Sequence, residues 1–141
     1  LNINNLLSKK LSFIHALFIK NGYKKTEINS AIEVVRESLL SLQKSKDGRW
    51  IYQLHEDDRM EVNYLHSIED EDKILIPDRT FIQDGTRWII DYKTVFDDKQ
   101  DLEIEAKTHI EQLKIYEFLF DDSYVIQKAI YFVKQGKLVL I

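Results

Sequence analysis

Asp84 and Gly85 divide the run from Ile76 to Thr94 into two strand-like halves. An Asp-Gly pair between such halves is the strongest short-range signal of a β-hairpin. With the pair as a two-residue loop, Gln83 faces Thr86, and counting outward sets Asp78 against Asp91. Side chains alternate along a strand, so Lys93 shares the face of Asp91. Directly opposed residues have Cβ atoms about 4.5–5.5 Å apart, and like charges there are destabilising. A divalent cation between the two carboxylates would reconcile them, with the lysine amine beside it. Hard oxygen ligands that retain waters suit Mg²⁺ or Mn²⁺ rather than zinc.

The chain has 141 residues, of which 44% are hydrophobic and 31% charged. That is the length of one domain with its own core and an ordinary globular composition. There is no cysteine, which excludes disulfides, zinc knuckles and a cysteine-held iron–sulfur cluster. No apolar stretch approaches the roughly 20 residues needed to cross a bilayer, and residues 1–20 read as an amphipathic helix rather than a signal peptide. A cytoplasmic location without membrane partners is the simplest expectation. The net charge of −4 lacks the basic footprint of a stand-alone nucleic-acid binder, yet it leaves room for an enzyme that meets nucleic acid through metal ions and a local patch. Without an initiator Met, and stopping on the apolar run from Lys137 to Ile141, the chain reads as one domain excised from a larger protein.

Ile3, Leu7, Leu11, Ile14 and Phe18 form a helical stripe, and Asn21-Gly22 is its expected stop. Thr26 is placed to cap a second helix with the stripe Ile28, Ala31 or Ile32, Val35, Leu39 and Leu42, which Asp47-Gly48 should break. Trp50–Leu54 and Met60–Leu65 read as short strands separated by a charged loop, His55 to Arg59. After the hairpin and a polar loop come one helix over about Glu103 to Phe120, a strand from Lys128 to Val133, a Gln135-Gly136 turn and a last short strand. The order is α-α-β-β-β-β-α-β-β, an α/β fold with a mixed central sheet flanked by helices.

Asp91-Tyr92-Lys93 alone is a short pattern that an exposed strand with a cross-strand ion pair also produces. Its setting behind the apolar Trp88-Ile89-Ile90 points to an internal strand, where charges at the end are more often functional. Asp78 follows Pro77, a residue confined to strand starts, edges and bulges. It could instead form an ion pair with an Arg or Lys. His15 lies beside the stripe of the first helix, where a lone histidine is ordinarily a boundary residue. Gln112 and Tyr116 are one helical turn apart and share a face, pointing into a cleft or decorating the surface. Glu61 is a further carboxylate of open direction, and His55 to Asp58 and Asp70 to Asp72 read as solvated loops.

His15, Asp78-Arg79, Asp91-Tyr92-Lys93-Thr94 and Gln112-Leu113-Lys114-Ile115-Tyr116 occur in this order and span essentially the whole chain. In this the chain resembles the RecB-type nuclease domain of the PD-(D/E)XK superfamily, found at the C-terminal end of bacterial helicase–nucleases of the exonuclease V beta-subunit kind. The resemblance implies a restriction-endonuclease-like core. It implies Mg²⁺ or Mn²⁺ bound by His15, Asp78, Asp91 and the Tyr92 carbonyl, Lys93 as the catalytic lysine, and Gln112 and Tyr116 lining a DNA cleft. Implied partners are DNA, a helicase domain in the same full-length chain, and further subunits. The chain departs from the family in having Leu75-Ile76-Pro77 where a glycine often precedes the metal Asp. It also lacks the cysteines of relatives with an iron–sulfur staple. The expected activity is DNA phosphodiester hydrolysis in recombination and repair. A catalytically silent scaffold that binds DNA or a subunit, and a stand-alone junction-resolving or restriction nuclease, are the competing readings.

Overall fold

In the computed structural model, which describes residues 3–68, 71–120 and 123–141, the chain opens with three helices. These are α1 (Ile3–Lys20), α2 (Lys25–Lys44) and α3 (Lys46–Tyr52). Gly22, at φ 82, closes α1 at the expected Asn21-Gly22 stop. Lys24 caps α2, its backbone N–H donating to the Glu27 carboxylate at 2.8 Å, so Thr26 falls inside the first turn instead of at the cap. Asp47-Gly48 does not break α2. The break is at Ser45, whose hydroxyl accepts the Gly48 N–H at 2.8 Å and starts α3. A Cβ on Gly48 would lie 2.2 Å from the Leu42 carbonyl oxygen, so only glycine lets the two helix ends pack this closely.

The strands are β1 (Glu56–Met60), β2 (Tyr64–Ile68), β3 (Glu71–Leu75), β4 (Arg79–Gln83) and β5 (Thr86–Lys93). Helices α4 (Leu102–Lys107) and α5 (Ile110–Glu117) follow, then β6 (Val125–Phe132) and β7 (Lys137–Leu140). Five strands form a mixed sheet in the order β1-β4-β5-β6-β7, while β2 and β3 make a separate antiparallel ribbon. β5 and β6 run parallel and the other neighbours are antiparallel. A parallel pair needs a long crossover, and α4 with α5 supplies it.

Alternation along β5 and β6 separates two cores. Ile89, Ile130 and Phe132 pack with Ala106, Leu113 and Tyr116 on the α4–α5 face. Ile90, Ala129 and Tyr131 pack with Ile51 and Phe81 on the α3 face. Asp47 of α3 accepts the Leu138 N–H at 2.9 Å, fixing that helix to β7. No helix among the described residues is long and apolar enough to cross a membrane.

The coarse expectation of a mixed sheet with helices holds, but several elements differ. Trp50 to Leu54 is not a strand: it carries the end of α3, because the Ser45 cap starts a helix there and turns Ile51 into the core. His55 to Arg59 is not a solvated loop but contains most of β1, and its charges are paired. Arg79, buried, makes a forked ion pair with Asp58 (2.8 and 2.6 Å) and donates to the Ile51 and Gln53 carbonyls. This pair holds the Asp58 carboxyl below the usual range. Asp57 pairs with Arg87 at 2.9 Å and Arg59 at 2.7 Å, and the His55 ring stacks on Phe81 with centroids 4.0 Å apart. Met60 to Leu65 is split between β1 and β2 by a turn. The single helix over Glu103 to Phe120 is two helices, interrupted at Thr108-His109. Asp72 lies on β3 and accepts from the Ser67 hydroxyl at 2.6 Å, whereas Asp70 lies outside the described residues.

Arg79 thus joins α3, β1 and β4 through one guanidinium. Arg79→Leu should destabilise the chain by about 3–5 kcal/mol, because it leaves a carboxylate and two carbonyls without their buried donor. A urea unfolding curve checks this; an unchanged midpoint contradicts it.

Candidate active site

The Asp84-Gly85 turn has both central residues at positive φ (50 and 72), the geometry that suits a two-residue hairpin. The ladder runs as predicted from Gln83↔Thr86 to Arg79↔Ile90. In such a turn the flanking residues exchange both backbone hydrogen bonds, and bonded pairs recur at every second position. The next bonded pair after Arg79↔Ile90 would set Pro77 against Tyr92. Proline has no N–H to donate, so the ladder stops there. The Asp78 carboxylate takes the place of the strand and accepts the Tyr92 N–H at 2.8 Å. The Tyr92 carbonyl projects to the same side, since the N–H and C=O of one strand residue point alike. Continuing the register by one step sets Asp78 against Asp91, in a non-bonded position where side chains come closest.

Asp91 and Lys93 lie on the α4–α5 face with Ile89. Asp91 Oδ2 is 2.7 Å from Lys93 Nζ; the aspartate side chain is 3% exposed and the lysine side chain 29%. Apart from this ion pair, the Oδ2 atom makes no hydrogen bond. Burial pushes the Asp91 carboxyl above its ordinary value and the Asp78 charge adds to the rise, while Lys93 and, more weakly, His109 pull it down. A carboxylate that is buried, short of donors and beside a second carboxylate is poised to receive a cation. Lys93 partly fills that need.

Gln112 and Tyr116 meet on α5, as their spacing predicts. The Gln112 amide donates to the Tyr116 hydroxyl at 3.1 Å, and that hydroxyl donates to the Ile76 carbonyl at 3.3 Å. Tyr116 is buried in the core while Gln112 is exposed. The pair therefore reaches the segment that carries Asp78. Arg79 points to the opposite face and pairs with Asp58, not with Asp78. Glu61 is exposed at positive φ (51), and its N–H donates to the Asp78 carbonyl at 3.0 Å.

His15 sits half-buried on α1, which packs against α2. The structure does not bring it together with Asp78 and Asp91: among the described residues no three His, Asp or Glu side chains converge as a ready metal site. His109, which sequence reasoning passed over, is closer to the chemistry. It sits at the break between α4 and α5, where a protonated ring would lower the Asp91 pKa, and its buried Nε2 lies 3.4 Å from the Glu105 carboxylate. A signal was present in the sequence: positions 109, 112 and 116 fall on one helical face. Comparison of the chain with protein-family models and with curated proteins found no match.

Because the folded Asp91 pKa is raised, the fold binds this proton more tightly than the unfolded chain does. The stabilisation is complete below the ordinary carboxylate range and is lost as pH rises through the folded pKa of Asp91. Asp91→Asn should remove that slope and, in metal-free buffer at neutral pH, raise the Tm by roughly 2–5 °C. Thermal unfolding from pH 4 to 8 checks this; a variant less stable than the parent at neutral pH would count against a strained carboxylate.

Proposed function

We propose that this chain is a metal-dependent deoxyribonuclease domain with a restriction-endonuclease-like core. In this reading it is the exonuclease part of a bacterial helicase–nuclease acting in DNA recombination and repair. The observation that carries the reading is the buried Asp91, near the end of an internal strand and paired with Lys93 at 2.7 Å, with Asp78 one step beyond the last β4–β5 pair. The topology supports it: an antiparallel hairpin bearing the acidic pair, a helical crossover, then a parallel strand.

The residues fit Mg²⁺ or Mn²⁺. Such ions keep several waters and need only one or two carboxylates beside substrate phosphate oxygens. Asp78 and Asp91 would hold the ion, with the outward Tyr92 carbonyl as a further oxygen. When bound, the ion polarises the scissile phosphate and lowers the pKa of a coordinated water. Lys93 would orient the attacking water and offset the negative charge that grows on the phosphate oxygens. Lys93 neutralises Asp91 in the structure, and its amine would be available to substrate if a cation took over that carboxylate. The site as proposed stands without His15, which the family resemblance adds as a ligand from α1. The net charge of −4 fits a domain whose DNA affinity and processivity come from an attached helicase.

A second reading, a catalytically silent scaffold that binds DNA or a subunit, draws support from the absence of a three-ligand cluster among the described residues. Cleavage of linear and supercoiled DNA in Mn²⁺ separates the two. The parent should cut, and Lys93→Ala should lose at least about a hundredfold in rate while still binding Mn²⁺. His15→Ala should cut at close to the parent rate; loss of cleavage would bring α1 into the site. Neither cutting nor binding of Mn²⁺ by the parent would defeat the nuclease reading.

A further inference from the structure

We propose that Gln112 and Tyr116 are positioning residues that fix the Asp78 carboxylate, rather than groups that contact DNA. The proposal deepens the nuclease reading and rests on it for its catalytic meaning, but its structural content can be tested by itself.

Tyr116 has its ring in the core formed by Ile89, Leu113, Ile130 and Phe132, so its hydroxyl has little freedom to swing. That hydroxyl is used twice, accepting from the Gln112 amide at 3.1 Å and donating to the Ile76 carbonyl at 3.3 Å. The first bond orients the second: with its lone pair engaged by Gln112, the hydroxyl proton turns to Ile76. Ile76 is followed by Pro77, whose ring locks its own φ and restricts the residue before it. Pro77 is buried. The short path from the Ile76 carbonyl to the Asp78 side chain is therefore stiff. An anchor at one end sets the other.

The second end of the path shows what is being set. The Asp78 carboxylate accepts the Tyr92 N–H at 2.8 Å, beside the Asp91–Lys93 pair, at the point where the β4–β5 ladder has run out of backbone partners. The Asp78 carbonyl accepts the Glu61 N–H. Two carboxylates that repel each other would drift apart on a free loop. The α5 clamp holds one of them in place while β5 holds the other.

A residue that lines a DNA cleft would present its polar group outward. Here the Tyr116 hydroxyl bonds to the Ile76 carbonyl of its own chain, and the Gln112 amide, on an exposed side chain, turns to that hydroxyl. Loss of the clamp should therefore weaken metal use before it weakens DNA binding.

The experiment uses the whole chain as parent, Tyr116→Phe and Gln112→Ala, the latter an exposed position that does not endanger folding. The first readout is amide hydrogen exchange at Tyr92, with Ile90 as an internal control. Both variants should speed Tyr92 exchange about three- to tenfold while Ile90 is unchanged. Unchanged Tyr92 exchange in both would overturn the proposal whether or not the chain cuts DNA. The second readout is the Mn²⁺ concentration for half-maximal cleavage, against the Kd for a DNA duplex in metal-free buffer. The half-maximal Mn²⁺ concentration should rise by a similar factor, with cleavage recovered at saturating Mn²⁺ and the DNA Kd unmoved. A weakened DNA Kd with unaltered Mn²⁺ dependence would assign the pair to DNA contact instead. A parent that neither binds Mn²⁺ nor cuts would remove the nuclease reading, and the exchange result would still decide the clamp.

Discussion

A two-residue turn leaves a β-hairpin no freedom to slip, and here that rigidity decides where charge goes. Sliding β5 by one residue along β4 would turn Asp91 and Lys93 to the α3 face and Ile90 to the other. Asp84 and Gly85, both at positive φ, forbid the slip. The register they set runs for five pairs and ends where Pro77 can no longer donate. At that end Asp78, Asp91 and the Tyr92 backbone come together. The acidic pair is thus not an accident of loop conformation but the terminus of a ladder fixed from the turn.

The sheet then keeps two polar systems apart. Asp78 and Arg79 are adjacent in sequence, yet alternation sends them to opposite faces. Arg79 pairs with Asp58 and binds α3 to the sheet, fully engaged by a carboxylate and two carbonyls. On the other face Asp91 has one lysine and a neighbouring negative charge. Both are buried acid–base pairs, but one is satisfied and structural, the other underserved. That difference, more than the presence of acidic residues, marks the site.

The hairpin was legible because turn chemistry and alternation are local rules, and both acted as expected from Arg79 to Lys93, with the ladder ending short of the Ile76–Asp78 stretch that was also read as strand. The Gln112–Tyr116 pair was legible as a shared helical face, though not its bond to Ile76, which depends on how α5 lies across the β3–β4 connection. The first strand was misplaced because Trp50 and Ile51 carry strand-like chemistry, while the signal that decides the segment is the Ser45 cap five residues earlier. β1 hid behind five consecutive polar or charged residues, Glu56 to Arg59 following His55, whose partners Arg79 and Arg87 lie 21 to 30 positions further on. His109 shares a helical face with Gln112 and Tyr116, but that spacing does not show that it comes near Asp91, which depends on how α5 lies over β5. What escaped the sequence was partly local, the Ser45 cap and the α4–α5 break, and partly long-range, the pairing of β1 with Arg79 and Arg87 and of Tyr116 with Ile76.

The most direct test is a crystal structure of the chain soaked in millimolar Mn²⁺, read by anomalous scattering. The proposed site predicts one peak between the Asp78 and Asp91 carboxylates, with Lys93 displaced from Asp91. A structure that shows no ion there, with the Lys93–Asp91 pair intact, would contradict it.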